Sequence, residues 1–171
     1  MLSSKWQGKG ILTDPRSSPG YASVMNLMRT TYGDEALVSL GELDWQLADS
    51  GTANPQHVAA GSATLGAPTV LSLMTELMDA GAPIDYVVPT PVHTAFVTSG
   101  ILADAAHPNA AKVFLNWYMS EVGQQIPCEY TMSPTLPGFD CEAMNLPEDR
   151  VAATLVSPED SAQMWNLIGF D

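Results

Sequence analysis

The chain has 171 residues, 46% hydrophobic and 15% charged, which is enough for one domain or two small lobes with a buried core. Six Lys and Arg against 19 Asp and Glu give a formal net charge of -13, which excludes a nucleic-acid surface and adhesion to an anionic membrane. No run of about twenty apolar residues predicts a membrane span. The opening MLSSKWQGKG lacks the apolar stretch of a signal peptide, so these residues taken literally predict a cytoplasmic chain.

The first ninety residues alternate between predicted strands and helices. Strands are predicted at 10–13, 62–68 and 82–91, and helices at 19–32, 34–48, 57–61 and 69–81. Residues 93–106 fit either a further strand or an apolar loop. This alternation predicts an α/β fold with a mainly parallel sheet and helices on its faces.

The remaining residues read as helices and loops without a sheet of their own. A helix is predicted over 107–125, with Pro108 in its first turn and Gly123 near its end, and short helices over 148–155 and 158–168. The amphipathic stretch 108–122 must bury an apolar side, yet the C-terminal residues offer no sheet to cover it. We therefore expect that protein is missing around this helix.

Ser17, Ser18, Pro19, Gly20 and Tyr21 form the first candidate site, because they connect a strand end to a helix start. Backbone N–H groups and serine hydroxyls at such a place bind carboxylate or phosphate groups. Ser18 is equally suited to cap a helix that has no ligand. Both interpretations fit these residues alone.

Two further segments carry candidate residues. The small residues of GSATLGAP, including Thr64 and Gly66, line a cleft or let a helix pack closely. YVVPTPVHT (residues 86–94), which includes Tyr86 and Thr90, forms a hinge, a cleft rim or an ordinary loop. The three histidines, His57, His93 and His107, have no carboxylate at a ligand-like spacing, so no metal, cofactor or catalytic set is predicted.

Cys128 and Cys141 lie in a loop-rich segment and match no zinc signature. They could close a short disulfide loop, as in an exported protein, or remain two thiols. Both alternatives stay open at this point.

Three segments resemble the periplasmic solute-binding proteins of ABC transporters, of the type II two-lobe fold and the iron(III)-type or solute-binding family 1 branch. KWQGKGILTDPRSS resembles the entry into the second lobe, and GAPIDYVVPTP is similar to the segment that leaves it. GILADAAHPNAAKVFLNWYMSEVGQQ is the most specific match, similar to the helix that returns the chain to the first lobe. The resemblance covers roughly residues 5–135.

The resemblance implies an organisation in three parts. Residues 8–90 would be the α/β second lobe, 91–106 the crossover or hinge, and 107–171 the C-terminal helical part of a first lobe whose sheet is absent. It also implies a periplasmic or extracellular location, although this chain shows no signal peptide.

The resemblance further implies a ligand-binding set in the cleft between the lobes: Ser17, Ser18, Gly20, Tyr21, Thr64, Gly66, Tyr86 and Thr90. Ferric-binding members have an adjacent tyrosine pair where this chain reads APTVL, and no Tyr-Tyr occurs here. The expected solute is therefore a small organic anion or a chelated metal rather than bare ferric iron.

The expected function is substrate capture for an ABC importer, with a membrane permease as partner and no catalysis. One alternative is a fragment that binds no solute alone and associates through the exposed helix 108–122. The other is an enzyme on the same scaffold, which is disfavoured because no nucleophile–base pair is visible.

Overall fold

The structure, a computed structural model, describes residues 1–130, 132–137, 141 and 147–170. The chain divides into two compact units. The first, Met1–Ala95 with Pro147–Asp171, contains every described strand and is called the sheet unit. The second, Phe96–Leu146, is called the helical unit. No described helix is both long and apolar enough to cross a membrane.

The described elements follow the predicted alternation closely in the first half of the chain. The strands are β1 (Gly10–Thr13), β2 (Gln46–Ala48), β3 (Leu65–Ala67), β4 (Val92–Thr94) and β5 (Arg150–Ala152). The helices are α1 (Pro19–Tyr32), α2 (Asp34–Gly41), α3 (Ala53–Ala59), α4 (Leu71–Asp79), α5 (Pro108–Tyr118), α6 (Glu121–Glu129) and α7 (Pro158–Ile168).

A parallel three-stranded sheet in the order β2-β1-β3 forms the centre of the sheet unit. All four residues of β1 are buried, as expected for a central strand with helices on both faces. Successive strand residues point to opposite faces, so Ile11 and Leu12 enter different clusters. Ile11 packs with Ala48 and Ala63, whereas Leu12 packs with residues of α1, α2 and α7.

Helix α7 belongs to the sheet unit, which differs from the predicted division at residue 107. Its Met164 and Ile168 are buried in the same cluster as Leu12, Met25 and Leu37. The segment 107–171, predicted to be one helical part, is thus divided between the two units. The helix predicted over 158–168 is confirmed, but the local sequence carries no information about which surface covers it.

Two predicted elements have a different conformation in the structure. Residues 82–91 form no strand, and β4 begins only after Pro91, because Pro89 and Pro91 lack the N–H that a strand ladder requires. The stretch 148–155, predicted as a helix, contains β5, which pairs in parallel with β4. That pairing joins residues more than fifty positions apart, so local periodicity could not reveal it.

Two long predicted helices are shorter in the structure. The predicted helix 34–48 ends at Gly41, and its last residues form β2. The predicted helix 107–125 is broken at Met119 and Ser120, where α5 ends and α6 begins. The Ser120 hydroxyl accepts a hydrogen bond from the Gly123 N–H at 3.3 Å and so caps α6.

The helical unit holds together chiefly through polar and covalent links. Cys128 and Cys141 are joined in a disulfide. The fully buried Gln124 donates to the Tyr118 carbonyl at 2.9 Å and accepts from the Thr135 N–H at 2.7 Å. These bonds connect α6 to the end of α5 and to the segment that follows α6.

Candidate functional site

The carboxyl ends of the three parallel strands meet at one edge of the sheet, at Thr13, Ala48 and Ala67. Each strand end is followed by a helix start, those of α1, α3 and α4. Ligands of open α/β sheets bind outside this edge, because helix N-termini and loop side chains converge there. We call it the carboxyl edge.

The start of α1 is capped by its own sequence. Ser18 is extended, and its hydroxyl oxygen accepts from the N–H groups of Gly20 at 3.2 Å and Tyr21 at 3.5 Å. Pro19, at the first helical position, has no N–H to satisfy. The bond to Tyr21 is long, so the Tyr21 N–H could also donate to an oxygen of a bound molecule.

An ion pair occupies the turn between β1 and α1. The Asp14 carboxylate accepts three hydrogen bonds from the Arg16 guanidinium, two from Nε at 2.9 and 3.2 Å and one from a terminal nitrogen at 2.8 Å. The guanidinium carbon lies 4.7 Å from the centre of the Phe170 ring. The hydrogen bond from Arg16 holds the pKa of Asp14 below its ordinary value. The exposed Ser17 donates to the Asp14 carbonyl at 2.6 Å and keeps its lone pairs free.

Tyr21 crosses from the start of α1 to the turn between β2 and α3. A Cβ on Gly51 in that turn would overlap the Tyr21 hydroxyl and lie 3.0 Å from the ring carbon that carries it. Burial alone raises the pKa of this half-buried phenol, so it stays neutral at ordinary pH. The hydroxyl has no hydrogen-bond partner in the described part of the chain and is available to a ligand.

A buried polar network beneath this edge was not identified from the sequence. Asn54 is fully buried, and its amide nitrogen donates to the Ile11 carbonyl at 3.2 Å and the Thr13 hydroxyl at 2.9 Å. Thr13 in turn donates to the Pro68 carbonyl at 2.7 Å. The network connects β1, α3 and the segment after β3, and so fixes the geometry of the carboxyl edge. Its only signal in the sequence was Asn54 followed by Pro55 at a helix start.

Two candidate residues, one before β3 and one within it, lie away from the carboxyl edge. Thr64 precedes the strand, and its N–H donates to the carbonyl of Lys9, which precedes β1, so it lies at the opposite edge. Gly66 faces α3, where an added Cβ would overlap the Asn54 side chain and lie 3.0 Å from Val58. Gly66 therefore permits close helix packing, the alternative left open by the sequence.

Tyr86 and Thr90 lie in the exposed irregular segment before β4. The only hydrogen bond described for Tyr86 joins its N–H to the Asp85 carboxylate at 2.8 Å. Among the described hydrogen bonds and ring contacts, none joins these two residues to Ser17, Ser18, Gly20 or Tyr21. Of the eight candidates, the structure therefore brings together only those four.

The histidines have local partners. His57 lies 3.0 Å from the Ser62 hydroxyl, and His93 lies 3.0 Å from the hydroxyl of Ser23 on α1. No group of three or more His, Cys, Asp or Glu residues suited to a metal ion occurs among the described residues. Two surface cavities of about 460 and 200 Å³ involve none of the residues gathered around Tyr21.

Comparison with known proteins identifies a related fold. The crystal structure of the substrate binding protein of the ABC transporter from Agrobacterium tumefaciens matches 96% of this chain, with a TM-score of 0.76 and 16% sequence identity. The match covers 54% of that protein, so this chain spans about half its length. No protein-family profile and no curated protein matches the sequence. The chain therefore has an α/β fold that matches about half of that substrate binding protein.

Proposed function

We propose that the chain is the substrate-binding component of an ABC importer, capturing a small anionic or metal-associated solute in the cleft of a two-lobe protein. The observation that carries this proposal is the fold similarity over nearly the whole chain to a substrate-binding protein. The proposed mechanism is closure of the lobes on the solute, which stabilises the form that a membrane permease recognises. It includes no chemical step.

The carboxyl edge supports binding through neutral donors. Arg16 is the one basic residue in the turn between β1 and α1, and Asp14 already neutralises it. An anionic group would instead meet the N–H groups of Gly20 and Tyr21, the Tyr21 hydroxyl and the positive end of α1. Ser17, whose hydrogen goes to the Asp14 carbonyl, would accept a hydrogen bond from a donor group of the solute. Tyr86 and Thr90 remain proposed contributors from the hinge, whereas Thr64 and Gly66 are left out because of their placement.

Location and delivery belong to the same proposal. A component of an importer acts outside the cytoplasmic membrane, so we propose a periplasmic or extracellular location with a permease as partner. The disulfide between Cys128 and Cys141 supports this location, because such bonds persist in oxidising compartments.

Thermal unfolding with inorganic phosphate, citrate and ferric citrate tests solute binding. A solute at a hundred times its dissociation constant should add about 2.7 kcal/mol to the free energy of unfolding. Tyr21→Phe should reduce this stabilisation, whereas Tyr32→Phe, at an exposed position near the end of α1, should leave it intact. The absence of any stabilisation of the unmodified protein would contradict the proposal.

A second candidate function, association through α5, is favoured by the exposure of that helix. None of its eleven residues is buried, and Val113, Phe114 and Trp117 are 69%, 56% and 43% exposed. Apolar patches of this kind mark contacts with other protein. We infer that α5 packs against further protein, either the remainder of a two-lobe protein or a second copy of this chain.

Sedimentation over a hundredfold concentration range tests this second candidate. Self-association should appear in the unmodified chain and be lost in Phe114→Glu. Val87→Glu is the matched control, because Val87 is 91% exposed in the sheet unit and lies outside α5. A monomer at every concentration would contradict self-association and leave the remainder of a two-lobe protein as the occupant.

A further inference from the structure

Gly51 lies in the turn between β2 and α3, a segment that carried no sequence signal. Its backbone φ is outside the left-handed region, so an alanine there would have an accessible conformation. The obstacle to a side chain is instead Tyr21, whose hydroxyl would overlap the added Cβ. The Tyr21 hydroxyl therefore occupies the space that a side chain at position 51 would fill.

We propose that Gly51 is a positioning residue that holds the Tyr21 hydroxyl at the carboxyl edge, where that hydroxyl contacts the solute. This inference rests on the proposed function, and it adds the turn between β2 and α3 to the site. The Tyr21 hydroxyl is a neutral phenol that can donate a hydrogen bond. We therefore expect it to contact an oxygen atom of a small polar solute.

Three observations support the assignment. The Tyr21 hydroxyl has no hydrogen-bond partner in the described part of the chain, although the ring is half-buried. Tyr21 belongs to the first turn of α1, where the helix dipole attracts partial negative charge. The turn that contains Gly51 leads from β2 into α3. The buried Asn54 of α3 is hydrogen-bonded to β1, so the backbone against which the Tyr21 ring packs is held in place.

Alanine at Gly51 is a local perturbation, because the atom displaced is the far end of a side chain. The ring can turn away without moving the backbone. Gly100→Ala is the matched control, since a Cβ there has nothing within 4 Å.

The first measurement follows the Tyr21 ring by ¹⁹F nuclear magnetic resonance in protein labelled with fluorotyrosine. The chain has five tyrosines, and the Tyr21 signal is the one that Tyr21→Phe removes. We expect Gly51→Ala to move this signal and to lower the pH at which it titrates, because the displaced phenol becomes more solvated. Gly100→Ala should leave it unchanged. An unmoved Tyr21 signal in Gly51→Ala would overturn the positioning role.

The second measurement is citrate binding by calorimetry. We expect Gly51→Ala and Tyr21→Phe each to weaken binding about tenfold, which corresponds to the loss of one hydrogen bond to a charged group. The double variant should bind no more weakly than either single variant, because both changes remove the same contact. Additive losses, or unchanged affinity in Gly51→Ala with a displaced ring, would overturn the solute contact.

The two measurements separate this inference from the proposed function. If the unmodified protein does not bind citrate, phosphate or ferric citrate, the proposed solute class and the Tyr21 contact with it both fail. The resonance of Tyr21 still decides whether Gly51 positions the ring.

Discussion

The sheet unit and the helical unit are stabilised in different ways. Both clusters of buried apolar residues in the described part of the chain lie in the sheet unit. The buried described residues of the helical unit are Gly123, Gln124, Pro127 and Cys141. A core of leucines and methionines therefore holds one unit, whereas a buried amide and a disulfide hold the other. The sheet unit thus has an apolar core of its own, whereas the helical unit leaves the apolar side chains of α5 exposed.

Truncating one large apolar residue in each unit tests this contrast most strongly. Leu37 is completely buried in the sheet unit, so Leu37→Ala should lower the free energy of unfolding by about 2–5 kcal/mol. Phe114→Ala, at a position 56% exposed, should change it by less than about 0.5 kcal/mol in a monomer. Urea unfolding followed by circular dichroism measures both.

A large loss in Phe114→Ala would contradict the picture of an uncovered helix. If that loss appeared only at high protein concentration, it would instead identify a second copy as the cover of α5.

Reducing the disulfide should affect the helical unit far more than the sheet unit. Cys128 and Cys141 are separated by 13 positions, and closing a loop of this size stabilises a fold by about 3 kcal/mol. With dithiothreitol, amide hydrogen exchange should accelerate in α6 and remain slow in β1. Cys128→Ser with Cys141→Ser should reproduce the effect without reductant, and equal acceleration in both units would contradict the division.

Removing a serine helix cap from each unit compares how the two units respond to the loss of the same kind of hydrogen bond. Ser18 caps α1 in the sheet unit and Ser120 caps α6 in the helical unit. Each change to alanine should remove about 1 kcal/mol of helix stability. The loss in Ser18→Ala should lower the midpoint of global unfolding, whereas Ser120→Ala should fray α6 locally, as read by hydrogen exchange. Identical global shifts would mean that the two units unfold together.

The sequence predicted what depends on neighbouring residues. Helix α1 was predicted correctly because Ser18, Pro19 and Gly33 mark its ends, and α7 because it follows the break at Pro158. The structure differs where an element depends on a distant partner. β5 requires β4 for its hydrogen bonds, and Arg150–Ala152 is too short to carry a strand pattern alone.

The candidate site follows the same rule. Ser17, Ser18, Gly20 and Tyr21 adjoin one another in the chain, so their grouping was predictable. Gly51 and Asn54 reach the same edge only through the parallel pairing of β1 with β2 and the packing of α3, which no local pattern encodes.

The smallest expected effect concerns His93, which connects the β4–β5 pair to α1. The Ser23 hydroxyl accepts from the Thr154 N–H at 3.0 Å, so its own hydrogen is free to be donated to the neutral His93 ring, also at 3.0 Å. Burial lowers the pKa of His93 below the value of about 6.5 expected for the unfolded chain.

The folded state therefore binds fewer protons than the unfolded state as pH falls through 6.5, so stability should decrease there and level off below the folded pKa. His93→Gln should flatten this part of the stability profile while keeping a hydrogen-bonding group. If the stability of His93→Gln still decreased with the same slope as pH falls through 6.5, His93 would not be the source of this pH dependence. The hydrogen bond from Thr154 to Ser23 would then be the remaining connection between this region and α1.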